Sequence, residues 1–169
     1  GNREDGKTDP QIEHLFRVFV GLLQPCDHYP HSLRLVRQNA APLMLDVALA
    51  HDILEDTDIT EEELATVLNE FGLEAVKALT RSKDQTYFDY IEKQVLTNPL
   101  ASLVKLADLE DNIKNAIPSL QTRYNKAKKI ILDHWHNVVF PPPSEENISN
   151  ENIKPEEKTE EKVTIIQPD

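Results

Sequence analysis

Apolar residues recur at helical spacing across residues 11–138, and the strict alternation of a half-buried strand is scarce. Ile12, Leu15, Phe16, Phe19, Leu22 and Leu23 predict a first helix that Pro25 stops. Leu33 and Val36 predict a short helix ending before Pro42, and residues 43–56 a third. Thr60 and Glu63 have capping-box spacing, in which each side chain satisfies a backbone N–H left free at a helix start. Leu64, Val67, Leu68 and Phe71 carry that helix on to Gly72, which reads as the residue just past its C-terminus. Residues 73–80, and then Tyr87, Tyr90, Ile91 and Val95, predict two more. Asn98-Pro99 opens a helix reaching Asn115, and Tyr124, Ala127, Ile130, Ile131 and Trp135 mark the last. The four glycines and the scarcity of alternation leave little room for a sheet, so the expected class is all-α.

Composition divides the chain. All ten aromatic residues lie between Phe16 and Phe140, whereas residues 141–169 hold five Pro and eight Asp/Glu against three Lys. Such a segment buries too little apolar surface to offset its ordering entropy. The expected organisation is a flexible N-terminus at 1–10, a helical domain at 11–140, and an acidic, Pro-containing disordered tail at 141–169. Residues 163–166, VTII, are the only sticky spot in that tail. The net charge of −12 argues against a nucleic acid polymer as partner, because phosphate-backbone binding calls for a basic surface. One Cys excludes an internal disulfide framework and fits a reducing compartment. No apolar run approaches the ~18 residues of a membrane helix, and the first ten residues show no secretory leader. A cytoplasmic location without a membrane partner is expected; the pattern sets no oligomeric state.

The chemistry concentrates in three places. Residues 42–57, PLMLDVALAHDILEDT, begin as a helix apolar on nearly every side, which marks burial by neighbours. His51 and Asp52 then stand side by side, with Glu55 and Asp56 one turn later. Ionisable groups beside an apolar helix are costly without a partner. A divalent cation is the simplest partner, because it reverses the repulsion among carboxylates. The helix from Pro99 repeats the logic, with Lys105, Asp108 and Asn112 able to share a face. The third place is HYPHSLR at 28–34, where His31 begins a helix and Arg34 lies on its side; His28 is the alternative imidazole. His31, His51, Asp52 and Asp108 form a mixed nitrogen and oxygen set suited to Mn²⁺, Fe²⁺ or Zn²⁺. An ion so held lowers the pKa of water, and Glu55 or Asp56 would orient that water or move its proton. Arg81 and Lys83 read equally as phosphate contacts or as a solvated loop, and Tyr124 as a pocket or core residue. His134 and His136 read as surface residues.

At these residues the chain resembles the HD-domain metal-dependent phosphohydrolases, and within them the guanosine tetraphosphate hydrolases of the stringent response. The matching segments are HSLRL at 31–35, ALAHDILEDTDIT at 48–60, FGLEAVKALTR at 71–81 and VKLADLEDNIKN at 104–115. The resemblance implies an all-α HD-domain bundle of about eight helices, holding one metal, usually Mn²⁺, through His31, His51, Asp52 and Asp108. It implies that Glu55 and Asp56 act on the nucleophilic water, that Lys105 and Asn112 sit in the nucleotide pocket, and that Arg34 lies near it. The reaction implied is removal of the 3′-pyrophosphate of guanosine 3′,5′-bispyrophosphate, a small-molecule nucleotide. Three features depart from the family. Ser32 stands where Pro usually follows the first His, GLLQPCDHYP at 21–30 lacks the basic pair many relatives carry there, and no synthetase domain follows. Hydrolysis of another phosphate ester, or metal or nucleotide sensing without turnover, are the alternative functions.

Overall fold

The computed structural model describes residues 9–139, and all regular structure among them is helical. The order is α1 (Pro10–Leu23), α2 (His31–Asn39), α3 (Ala41–Ala50), α4 (Ile53–Asp56), α5 (Glu61–Leu64), α6 (Glu70–Leu79), α7 (Tyr87–Lys93), a 3-10 turn (Val95–Thr97), α8 (Pro99–Asn115) and α9 (Pro118–His136). The expected disordered tail at 141–169 lies outside the described residues. Of the expected flexible N-terminus only Asp9 and Pro10 are described: Pro10 is the first residue of α1, and Asp9 caps it, its side chain accepting the Gln11 N–H at 2.9 Å. No described helix is long and apolar enough to cross a membrane.

The middle of the fold is α8. Its start is fixed by Asn98, whose side chain accepts the N–H groups of Leu100 and Ala101. Leu100, Leu103, Val104, Leu106 and Leu109 are all buried, because α1, α2, α3, α6 and α9 pack around this one helix. A helix surrounded in this way can keep polar residues only where they find partners. Ser102 Oγ donates to Val95 O at 2.8 Å, and Asp108 and Asp111 are the two buried carboxylates.

Three sequence expectations shift. The helix expected at 43–56 divides at His51–Asp52, where Asp52 takes φ −103° and ψ 0°, so that α3 ends and α4 begins a new turn. The capping box at Thr60 and Glu63 is formed, but its helix stops at Leu64. Asn69 then caps α6 by accepting the Gly72 N–H at 2.9 Å, which places Gly72 inside a helix and not beyond one. A Cβ there would meet Leu43 Cδ1 at 2.9 Å, so the glycine serves the close approach of α3 to α6. Third, the buried side of α1 carries Val18 and Leu22, while Ile12, Phe16 and Leu23 are exposed.

Candidate metal centre

The break after α3 gives two adjacent residues a common target. His51 is 1 % exposed, and its Nδ1 donates to Ala48 O at 2.7 Å. A carbonyl can only accept, so this bond places a proton on Nδ1 and makes Nε2 the nitrogen that offers an electron pair whenever the ring is neutral. That Nε2 is buried without a hydrogen-bond partner. It lies 3.0 Å from Asp52 Oδ2, outside hydrogen-bond geometry, and 3.9 Å from Asp108 Oδ1.

The second imidazole comes from α1. His14 Nε2 lies 3.2 Å from Asp108 Oδ1 and 3.8 Å from Asp52 Oδ2, while its Nδ1 lies 3.0 Å from Asp111 Oδ2. Asp111, buried one turn beyond Asp108 on α8, also accepts from Arg17 Nε at 3.0 Å. Metal sites fix imidazole orientation with a carboxylate or carbonyl on the far ring nitrogen, and Asp111 on His14 and Ala48 O on His51 are placed for that part. One ligand atom each from His14, His51 and Asp108 lies within 4.8 Å of the others, a separation that one ion can bridge. Asp52 Oδ2 lies beside this group, 3.0 Å from His51 Nε2 and 3.8 Å from His14 Nε2. An orphaned, buried His51 Nε2 within a group of two imidazoles and two carboxylates fits a divalent first-row ion.

Charge in the cluster is tightly balanced. Lys105 Nζ donates to Asp108 Oδ2 at 2.8 Å, and Asn112 Nδ2 to Asp108 Oδ1 at 2.6 Å. Burial works to raise the Asp108 pKa, but the Lys105 ammonium and the two imidazoles outweigh it and hold the carboxyl well below the usual range. Hydrogen bonding to Asp108 pushes His14 up to about 9, with Asp111 assisting and burial opposing. Burial also opposes charge on His51, yet the Asp52 carboxylate beside it turns the net direction upward. Without an ion, protons on imidazole do the neutralising.

A polar cavity of about 230 Å³ opens beside the cluster, lined among others by Asp52, Glu55, Arg81, Lys105, Asn112 and Arg123. The Arg123 guanidinium lies 4.9 Å over the Tyr87 ring and 5.6 Å from that of Tyr124, and both tyrosines line the cavity. Glu55 Oε1 accepts the Arg81 N–H at 2.5 Å. Asp56 is absent from the lining and accepts from Gln11 Nε2 at 2.5 Å on the outer side, so of the two expected proton carriers only Glu55 reaches the cavity.

The structure thus brings together His51, Asp52, Asp108, Lys105, Asn112 and Glu55. It does not bring His31 or Arg34. His31 is exposed at the first position of α2, whose buried residues are Ser32 and Leu33, so its ring faces away from the core that holds Asp108. Ser32 Oγ donates instead to Trp135 O at 2.6 Å. Arg34 lines a different cavity. His28, the alternative imidazole, pairs with Glu110 at 3.2 Å. The member of the cluster that sequence reasoning missed is His14. The signal was available: His14-Leu-Phe-Arg17 has the same spacing as His31-Ser-Leu-Arg34. Counted from His14, the preceding basic residues are Arg3 and Lys7, outside the described residues. Of the doubtful residues, Arg81 and Tyr124 line the cavity, and His134 and His136 are exposed. No family model matches this chain, and no curated protein is significantly similar to it.

Proposed function

We propose that this chain is a metal-dependent phosphohydrolase, with guanosine 3′,5′-bispyrophosphate as the leading substrate and Mn²⁺ as the leading ion. The observation that carries the reading is the convergence of His14, His51 and Asp108, with Asp52 beside them and His51 Nε2 buried without a hydrogen bond, at the edge of a cavity lined by cationic side chains. An ion held by these four groups would supply Lewis acidity to a phosphoryl oxygen and lower the pKa of water. The chain's own groups do the rest. Glu55 takes the proton of the attacking water and is held toward the cavity by the Arg81 N–H. Lys105, Arg81 and Arg123 neutralise phosphate charge, and Arg123 is fixed by the tyrosine rings beneath it. Asp111 keeps the His14 ring turned toward Asp108.

The cavity size favours a second reading beside the first. At about 230 Å³ it lies below the usual range for sites that enclose whole ligands. A smaller phosphate ester fills it completely, whereas a guanosine polyphosphate seats its pyrophosphate there and lays its base across the surface. Release of phosphate and pyrophosphate should be measured on the full chain with Mn²⁺, Fe²⁺ and Zn²⁺, against guanosine 3′,5′-bispyrophosphate, nucleoside triphosphates and simple monoesters. Stoichiometric metal without turnover of any phosphate compound would replace hydrolysis with sensing.

A further inference from the structure

A second cavity, of about 410 Å³, opens where the C-terminal end of α1 meets α2 and α3. Leu22 and Met44 are buried beneath it, and Pro25 adds to its apolar wall. Two guanidiniums, Arg34 and Arg37, border it. Arg37 is engaged, donating from Nη1 to Cys26 Sγ at 2.6 Å. Arg34 is not. Its Nε is buried without a hydrogen-bond partner, and among the described residues no carboxylate pairs with it, although Asp27 lines the same cavity. A buried donor left without an acceptor is rare in folded proteins and points to an acceptor that the described residues do not provide. The start of α3 faces the same space through Ala41, and no side chain caps it, which adds the positive end of a helix dipole.

An arginine presents Nε–H and one Nη–H along one edge, a fork that matches two oxygens of a carboxylate or phosphate. Leu22, Leu23, Pro25, Ala41 and Met44 offer carbon surface beside that fork, with Asp27 and Gln38 completing the wall. We propose that this cavity is a binding site for a small oxyanion carried on an apolar body, with Arg34 and Arg37 as its anion clamp. Its volume lies within the range of small-molecule sites. It is separate from the metal-ligand cluster: Leu22 follows His14 by two turns, about 12 Å along α1. The proposal does not depend on the hydrolase reading.

Cys26 is the single cysteine of the chain and lines this cavity, so thiol reactivity reports its occupancy without any substitution. Alkylation of the full chain by iodoacetamide should be followed by intact mass, with phenyl phosphate, benzoate and neutral anisole as probes. Phenyl phosphate and benzoate are expected to slow the reaction severalfold in a saturable way, and anisole to leave it unchanged. Arg34→Gln should weaken that protection about tenfold, the scale of one charge-assisted hydrogen bond, while Arg81→Gln in the metal cavity should leave it intact. Absent or non-saturating protection, equal protection by anisole, or protection lost in Arg81→Gln but kept in Arg34→Gln overturns the proposal. The comparison of anions with anisole on the unaltered chain decides the matter even if Arg34→Gln does not fold.

Discussion

Replacing His14 by alanine tests the centre at the point where sequence and structure part, and it has two separable magnitudes. With metal present, removing groups that merely orient a ligand costs roughly 10- to 100-fold in affinity, so removing the ligand itself should cost at least about 100-fold. Without metal, the effect is one of proton linkage. The His14 pKa rises from 6.5 to about 9 in the fold, chiefly through its hydrogen bond to Asp108. A group whose folded pKa lies above its unfolded one stabilises fully below the unfolded value and stops doing so as pH climbs through the folded value. The ring is 17 % exposed. Allowing for solvent screening, the charged form should contribute about 1–2 kcal/mol below pH 6.5 and none well above pH 9. Urea unfolding of chelator-treated protein on both sides of that window gives the difference between wild type and His14→Ala. This difference should shrink by about 1–2 kcal/mol as pH rises. Metal stoichiometry after gel filtration gives the other magnitude, with His31→Ala as the control that keeps its ion. A difference independent of pH, or metal retained by His14→Ala and lost by His31→Ala, would refute the assignment.

Glu55→Gln should keep metal and lose about 100-fold in turnover, whereas Asp56→Asn should change turnover little, since Asp56 lies outside the cavity; steady-state rates on a common substrate compare them. Because His14 carries a proton in the metal-free protein near neutral pH, Mn²⁺ uptake should release close to one proton per site, read by calorimetry in buffers of different ionisation enthalpy. Gly72→Val should lower stability by about 1–3 kcal/mol by pressing on Leu43, and its thermal midpoint reports the loss.

Much of the helix pattern was legible because its punctuation is local. Asn98-Pro99 starts α8 and Thr60 with Glu63 builds a capping box by contacts within a few residues, and both appear as the sequence predicts. What was not legible depended on neighbours distant in the chain. Gly72 looks like a helix terminator until α3 is seen pressing Leu43 against it. The most apolar line on α1, through Ile12 and Phe16, suggests the buried side, but it is the exposed one. The inward face is defined by His14, Val18 and Leu22, and one polar residue in that row hid it. His31 and His14 share the same local pattern, so only packing against α8 separates the one in the cluster from the one on the surface. His51, Asp52 and Asp108 were legible because polar groups interrupt runs otherwise wholly apolar.

With Asp108 on the innermost helix, an ion held there would be tied to the whole bundle. Ligands on surface loops tighten only their own loops when loaded, and backbone amides elsewhere exchange hydrogen as before. Here one end of the proposed coordination sphere would be α8 itself, on which five other helices rest. Loading should therefore slow, by one common factor set by ion concentration over dissociation constant, the amides that exchange only when the bundle opens as a whole. The most protected amides at the heart of α8 would then serve as the gauge of occupancy.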